Sequence, residues 1–381
     1  MRCCDELGAV SDESGRLTRT FHSPAMRRAN RLVGSWMRAA GLEVREDAAF
    51  NLLGRWPGTR RAAKTLLLGS HLDTVRDAGK YDGPLGVLVA LAAVKHLKER
   101  GVTLPFHVEI AGFSDEEGVR YQTTYLGSRA LAGTLTRADL SRVGGNGIER
   151  ARRPRGEFLA YAEVHIEQGP VLEQRSLPVG VVNTIAGQSR LRVEFRGEAG
   201  HAGTTPMHLR HDALCGAAEL ALAAERCGVL ATVGKLSVEP GASNVIPGCV
   251  ELTLDVRHQR DARRCAAVRA LQTKARDIAR RRGLRLTWTT VQETDAVSCD
   301  PKLSRLFARC VAARGHEVLT LPSGAGHDAA ALSAVCPVAM LFVRCKGGIS
   351  HNPAESVKTA DVAVAIGVLA DFIQSLASRH G

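Results

Sequence analysis

From residue 64 onward the chain sets short apolar runs against one long one. The segment "KTLLLGSHLD", 64 to 73, has the length of a buried strand and finishes on polar groups. The segment "PLGVLVALAAVKHLKER", 84 to 100, is apolar for longer than a strand. It opens with Pro84 and precedes Gly101, so it predicts a helix with proline in its first turn and a glycine stop. A further strand is expected over "FHVEIAGF", 106 to 113. Strand, helix, strand in this order predicts an α/β sheet whose functional groups gather beyond the strand ends.

The middle of the chain has a different period. In "SRLRVEFRG", 189 to 197, Leu191, Val193 and Phe195 alternate with charged residues, the pattern of a half-buried strand. A helix follows from about Leu209 to Arg226, then strand-like "TVGKLSVEP", then "CVELTLDVRH" with Val250, Leu252, Leu254 and Val256 on one face. An Arg-rich helix from about Ala262 to Arg282 and a strand over "LRLTWTTVQ" complete the order β-α-β-β-α-β. That order predicts an antiparallel four-stranded sheet covered by two helices. The expectation is an inserted α+β domain at 183–293. Residues 1–182 and 294–381 would then form a discontinuous α/β domain, a mixed sheet flanked by helices. "VGGNGIERARRPRG", 143 to 156, reads as an exposed loop.

Length supports this division, because 381 residues exceed the usual size of one core. No uninterrupted apolar run of about 18 residues occurs, and "MRCCDELGAV" lacks the order of a signal peptide. The ten cysteines form no CxxC pair, and a cytoplasmic protein with reduced thiols is expected. A net charge of +12 suits nucleic acid or small anionic substrates. Aromatic residues make up only 4%, and the basic clusters 150–155 and 276–282 are not interleaved with them, so no nucleic-acid partner is expected, and with no long apolar run no membrane partner is expected either.

Against this frame, five segments carry ligand-type residues at strand ends or in loops: His71, Asp82, the pair Glu116 and Glu117, His165 and His351. One histidine alone is most often structural. Together, imidazoles and carboxylates suit zinc, manganese or a related divalent ion, and a carboxylate can bridge two of them. If the strand before them continues, Glu116 and Glu117 point to opposite faces, so one binds metal and the other is free to act as a base. Asp73, two residues after His71, either fixes that imidazole by a hydrogen bond or caps the loop.

The motifs "GSHLDTV", "YDGPLG", "FSDEEGVRY", "GSRALAG", "HIEQGPVLE", "GHAGTTPM", "NVIPG", "SGAGHDA" and "GGISHNPAE" occur in this order along the chain. They resemble the amidase branch of the dinuclear M20 metallopeptidase superfamily, which contains N-carbamoyl-L-amino acid hydrolases, β-ureidopropionases and allantoate amidohydrolases. The resemblance implies a catalytic domain holding two divalent ions, manganese or zinc, and an inserted lid that carries a homodimer contact. It implies that His71 and His165 bind one ion and Glu117 and His351 the other, with Asp82 bridging and Glu116 as general base. His201 of "GHAGTTPM" would stabilise an oxyanion in the partner subunit. Asn244 and Arg257 would bind substrate, and Gln168, Gln188 and Gly324 are further substrate-binding candidates.

Within the branch, "DAGKYDG", "FSDEEGVRYQTTYLGS" and "MLFVRCKGGISHNPAE" look closest to allantoate amidohydrolases. Ala49 and Phe50 depart from that pattern, standing where glycine is usual. The expected substrate is a small anionic ureido compound, allantoate, losing ammonia and then carbon dioxide; the alternative is an N-carbamoyl-L-amino acid or β-ureidopropionate. A metal-stabilised binding protein would lack Glu116 or a ligand, and a peptidase would lack the joint "HIEQG" and "SHNPAE" set.

Overall fold

The structure, a computed structural model, describes residues 1–145 and 147–379. The chain divides into two compact units, Met1–Asn183 with Ser298–Gly381 and Thr184–Val297.

In the first unit a mixed sheet runs in the order Glu43–Glu46, Leu52–Trp56, His107–Phe113, Thr65–His71, Phe158–Ile166, Val338–Val343, Val179–Ile185. Four neighbours, from His107–Phe113 to Val338–Val343, are mutually parallel and end on one side. Every residue of Thr65–His71, His107–Phe113 and Val338–Val343 is buried, which is why these strands read as continuous apolar runs without alternation. Helix Pro84–Glu99 starts and stops as its proline and glycine predict. The helix Thr359–Ala377 is long and apolar enough to cross a membrane by length and composition. Here it is a core element, with Val368, Phe372 and Ile373 fully buried and the Phe372 ring stacked on Phe307 at 4.1 Å. Its two acidic residues are satisfied by arginines, Asp361 by Arg344 at 2.8 Å and Asp371 by Arg314 at 2.7 Å.

The stretch 143–156 is not simply an exposed loop. Residues Ile148–Ala151 form a 3₁₀ turn that lines up Ile148 and Ala151 on one side, and both pack with Phe21, Ala49 and Leu126. Asn146 within it lies outside the described residues. Phe50, which stands where the resemblance expects glycine, has φ 62°, a left-handed backbone that glycine adopts without steric cost. Its ring centroid lies 4.2 Å from that of His22, with the two planes tilted by 35°.

The second unit is an antiparallel sheet in the order Arg285–Thr294, Gly187–Arg196, Cys249–His258, Leu230–Glu239. Helices Ala213–Glu225 and Asp261–Arg282 cover one face, burying Leu191, Val193, Phe195, Val250, Leu252, Leu254 and Val256. The first helix begins four residues later than Leu209 because Asp212 caps it, accepting from Leu214 N–H at 2.9 Å and Cys215 N–H at 3.1 Å. A short ladder pairs Gly200–His201 with Val245–Ile246. Two residues are too few to display a period, so the sequence pattern cannot reveal it.

Candidate metal centre

The ligand-type residues of the first unit collect where its parallel strands end. His71 is the last residue of Thr65–His71, and His165 sits one residue before the end of Phe158–Ile166. Glu116 and Glu117 follow His107–Phe113, His351 follows Val338–Val343, and Asp82 lies just before Pro84–Glu99. The crevice beyond the carboxyl ends of parallel strands is where such sheets place ligands. Gly83 between Asp82 and that helix has φ 79°, and a Cβ there would collide with the His71 ring.

Asp82 is the hub. Its Oδ1 lies 3.2 Å from His165 Nε2 and 3.7 Å from His71 Nε2, while its Oδ2 lies 3.2 Å from His351 Nε2. His351 Nε2 is in turn 3.3 Å from Glu117 Oε1. The 3.7 Å separation is too long for a hydrogen bond. Neighbouring ligands of a tetrahedral ion with bonds near 2.1 Å stand about 3.4 Å apart, the middle of this range. Four groups of described residues have the spacing to hold a cation: His71, Asp82 and His165; Asp82, Glu117 and His351; His71, Glu116 and Glu117; and Glu163, His165 and His327, with Asp82 common to the first two. The donors are imidazole nitrogens and carboxylate oxygens, which fit zinc or manganese. The tautomers are set from behind, His71 Nδ1 facing Asp73 O at 3.0 Å and His165 Nδ1 facing Ile166 O at 2.9 Å, so that both Nε2 atoms are left for the ion.

Two expectations about this cluster change. The strand ends at Phe113 and Asp115 turns the chain with φ 51°, so strand alternation does not separate Glu116 from Glu117. Both offer an oxygen close to His71. Their difference is burial, Glu116 being 8% exposed and Glu117 half-buried. The bond from Asp73 to His71 is made by its main chain; its carboxylate, 3.7 Å from the ring, accepts instead from Glu116 N–H at 3.1 Å and Glu117 N–H at 3.2 Å.

Electrostatics follow from packing charges out of water. Burial, reinforced by Glu117, Asp328 and Asp73 and opposed by His71, lifts Glu116 well above the usual carboxyl range. For Asp82, burial is outweighed by the surrounding imidazoles of His165, His351 and His71, which hold it well below that range. Burial lowers His71, but Asp82 and the surrounding carboxylates raise it well above an ordinary histidine. Asp82 and Glu117 lift His351 to about 10. Protons thus stabilise the metal-free cluster, and a cation must displace them.

Gln168 also joins this centre. With φ 56°, it donates from Nε2 to Asp82 Oδ2 at 2.9 Å and to Ser350 Oγ at 3.1 Å, so its amide grips the shared carboxylate. Gly324 follows the strand Thr320–Ser323, and a Cβ there would meet nothing within 4 Å. The same motif contributes a residue that sequence reasoning passed over. His327 is buried, its ring edge-on to His165 at 4.5 Å and its Nε2 bonded to Ser323 Oγ at 2.8 Å. Burial and the neighbouring His165 hold it well below the usual histidine range. The only signal for it was its place beside Asp328 in "SGAGHDA".

The second unit holds the other candidates in two groups. His201 is exposed and registers with Val245; its Nδ1 accepts from Gly203 N–H at 3.0 Å, so the neutral ring carries its proton on Nε2. Asn244 is its neighbour across the ladder, its main-chain oxygen accepting from Ala202 N–H at 2.9 Å. Gln188 and Arg257 are register partners. Asp255 joins them, receiving Arg257 Nε and Nη2 at 2.9 Å each and Gln188 Nε2 at 2.6 Å. The groups lie in separate ladders, Arg257 opposite Gln188 in the four-stranded sheet and Val245 opposite His201 in the two-stranded one. Arg257 and Cys249 are already about 26 Å apart along their strand at ~3.3 Å per residue, and the chain runs on through Pro247 and Gly248 before it reaches Val245.

Comparison with known proteins gives consistent relatives. The profile described as Peptidase family M20/M25/M40 matches residues 67–375. The chain is 42% identical over 422 residues to allantoate deiminase of Arabidopsis thaliana, covering 97% of this chain and 80% of that one. It is also 42% identical over 395 residues to N-carbamoyl-L-amino acid amidohydrolase of Geobacillus stearothermophilus, covering 98% and 96%. The crystal structure of an amidase of the hydantoinase/carbamoylase family from Burkholderia multivorans superposes with a TM-score of 0.92 at 31% identity, covering 99% and 96%.

Proposed function

The chain belongs to peptidase family M20/M25/M40, and on that premise we propose that it is a metal-dependent amidohydrolase cleaving a ureido C–N bond of allantoate. The observation that carries the reading is Asp82, a buried carboxylate whose two oxygens face different imidazoles. Two divalent ions, manganese or zinc, held by His71, Asp82 and His165 and by Asp82, Glu117 and His351, would polarise the ureido carbonyl and acidify water.

The chain's own residues do the rest. Glu116, held by the Asp73 bond to its amide, takes a proton from the attacking water. The water oxygen bonds to the ureido carbon, the terminal C–N bond breaks, and Glu116 returns the proton to the leaving nitrogen. Ammonia departs, and the carbamate left behind loses carbon dioxide. Arg257, its guanidinium plane fixed by Asp255, suits the substrate carboxylate, with Gln188 alongside and Asn244 as a further polar contact. His201 presents an Nε2–H suited to a developing oxyanion.

A substrate the size of allantoate cannot reach both groups of the second unit in one copy. That separation supports a homodimer in which one site takes His201 and Asn244 from one chain and Arg257 from the other. All ten cysteines are free thiols, which supports a cytoplasmic location. A second reading, N-carbamoyl-L-amino acid hydrolysis, is favoured by the equal identity to the Geobacillus enzyme. Ammonia release from allantoate and a panel of N-carbamoyl amino acids, with zinc, manganese or cobalt added to metal-free protein, separates the two. Faster turnover of a carbamoyl amino acid would replace the allantoate reading.

A further inference from the structure

The loop that supplies His351 carries, four residues on, Glu355, which is 5% exposed. Its Oε1 accepts two main-chain hydrogen bonds, from Tyr81 N–H at 2.6 Å and from Asp82 N–H at 3.0 Å. Its Oε2 is buried and has no hydrogen-bond partner. The approach is close enough that a Cβ on Gly79 would collide with the Glu355 side chain. The loop is itself braced. Ala354 N–H donates to Asn352 Oδ1 at 2.8 Å, Glu355 N–H to Asn352 O at 3.0 Å, and Cys345 bridges Val357.

The same loop also reaches the Asp82 side chain, through Ser350 Oγ at 2.5 Å and His351 Nε2 at 3.2 Å from Oδ2. Asp82 is therefore gripped twice from one loop, by its carboxylate and by its amide. Two carboxylates buried side by side are costly unless each is well satisfied, so the arrangement needs a compensating role. Asp73 supplies a parallel, since its carboxylate holds the amides of Glu116 and Glu117 in the same way. We propose that Glu355 is a positioning residue of the metal centre. It fixes the main chain at Tyr81–Asp82 so that Asp82 presents one oxygen to each group of ligands. The inference rests on Asp82 as the shared ligand and is independent of which ureido substrate is used.

The test compares Glu355→Gln, whose amide oxygen still accepts both N–H groups, with Glu355→Ala, which removes the acceptor. Amide hydrogen exchange in the metal-free protein reads the contact, and zinc or manganese affinity by equilibrium dialysis reads its consequence. In Glu355→Ala the Tyr81 and Asp82 amides should exchange at least ~10-fold faster while those of Thr65–His71 are unchanged. Its metal affinity should fall roughly 10- to 100-fold, the usual cost of losing a group that orients a ligand. Glu355→Gln should stay within about threefold of the natural protein on both readouts. If Glu355→Ala fails to fold, Glu355→Asp, whose oxygen is withdrawn by one methylene, should show the same losses in smaller measure. The inference is overturned if the Ala or Asp variant matches the natural protein in exchange and affinity, or if the Gln variant is as impaired as Ala. Natural protein that takes up no divalent ion overturns the centre and this inference with it. Failure to hydrolyse allantoate touches neither.

Discussion

In the first unit His71, Asp82, Glu116 and His165 are all less than a tenth exposed, and each is held by a hydrogen bond from close by in the chain or from another loop packed against it. In the second unit His201 and Asn244 are exposed, and Gln188 and Arg257 stand half-buried on the sheet face away from the helices. A buried polar group costs several kcal/mol unless its partners are in place. The first unit therefore has to specify its site many times over, whereas the second needs only a sheet stiff enough to carry a few side chains. Chemistry that works on a buried proton and a cation belongs in the first environment; groups that meet a substrate from outside belong in the second.

Glu116→Gln breaks the buried side of this contrast and carries the largest expected effect. Turnover should fall on the order of 10²- to 10⁴-fold with the metal content of the purified protein unchanged. Loss of a metal equivalent would mean that Glu116 is a ligand and that the roles within the pair are reversed. His201→Ala attacks the exposed side. It should lower kcat by about 10²- to 10³-fold, the cost of one oxyanion donor, in a folded and metal-loaded protein. Mixing it with the Glu116→Gln protein should restore part of the activity in hybrid dimers. Hybrids that form and stay inactive would remove the histidine from any site supplied by a second copy.

Arg257→Lys sharpens the comparison on a smaller scale. The charge is kept but the planar fork is lost, so KM for allantoate should rise by roughly tenfold with kcat nearly unchanged. A fall in kcat at constant KM would place the residue in the chemistry.

The smallest expected effect concerns pH. His71, His165 and His351 are all raised in the metal-free protein, His351 to about 10. Groups raised on folding contribute stability that is fully present below the unfolded histidine value of about 6.5 and is lost as pH climbs through the folded values. Asp82, depressed on folding, contributes the reverse, losing its share only on strong acidification. The metal-free protein should therefore melt a few degrees lower as pH rises from about 6.5 towards 10, and metal uptake at neutral pH should release protons. Thermal melts of metal-free and metal-loaded protein, with proton release followed in weakly buffered solution, check both. Melting that is flat with pH would argue that the imidazoles are neutral before the ion arrives.

How much of this was legible in the sequence follows the same division. A fully buried strand that ends on His71, and a helix bounded by Pro84 and Gly101, are written in apolar runs and their punctuation. The alternation of Leu191, Val193 and Phe195 likewise announces a one-sided sheet. What alternation cannot announce is where a strand stops, and the turn at Asp115 undid the argument that separated Glu116 from Glu117. Nor could it find His327 or Glu355, whose partners His165 and Asp82 lie far away along the chain and meet them only in the folded sheet. For His201 and Arg257 the local pattern says only turn and polar sheet face, and the resemblance supplied their roles.

The most direct measurement of the central claim is ammonia release from allantoate as manganese or zinc is titrated into metal-free protein. The account predicts no release without metal and a rate that rises until two equivalents per chain are bound. Undiminished release from fully chelated protein, or saturation at a single equivalent, would contradict a centre built on two groups of ligands sharing Asp82.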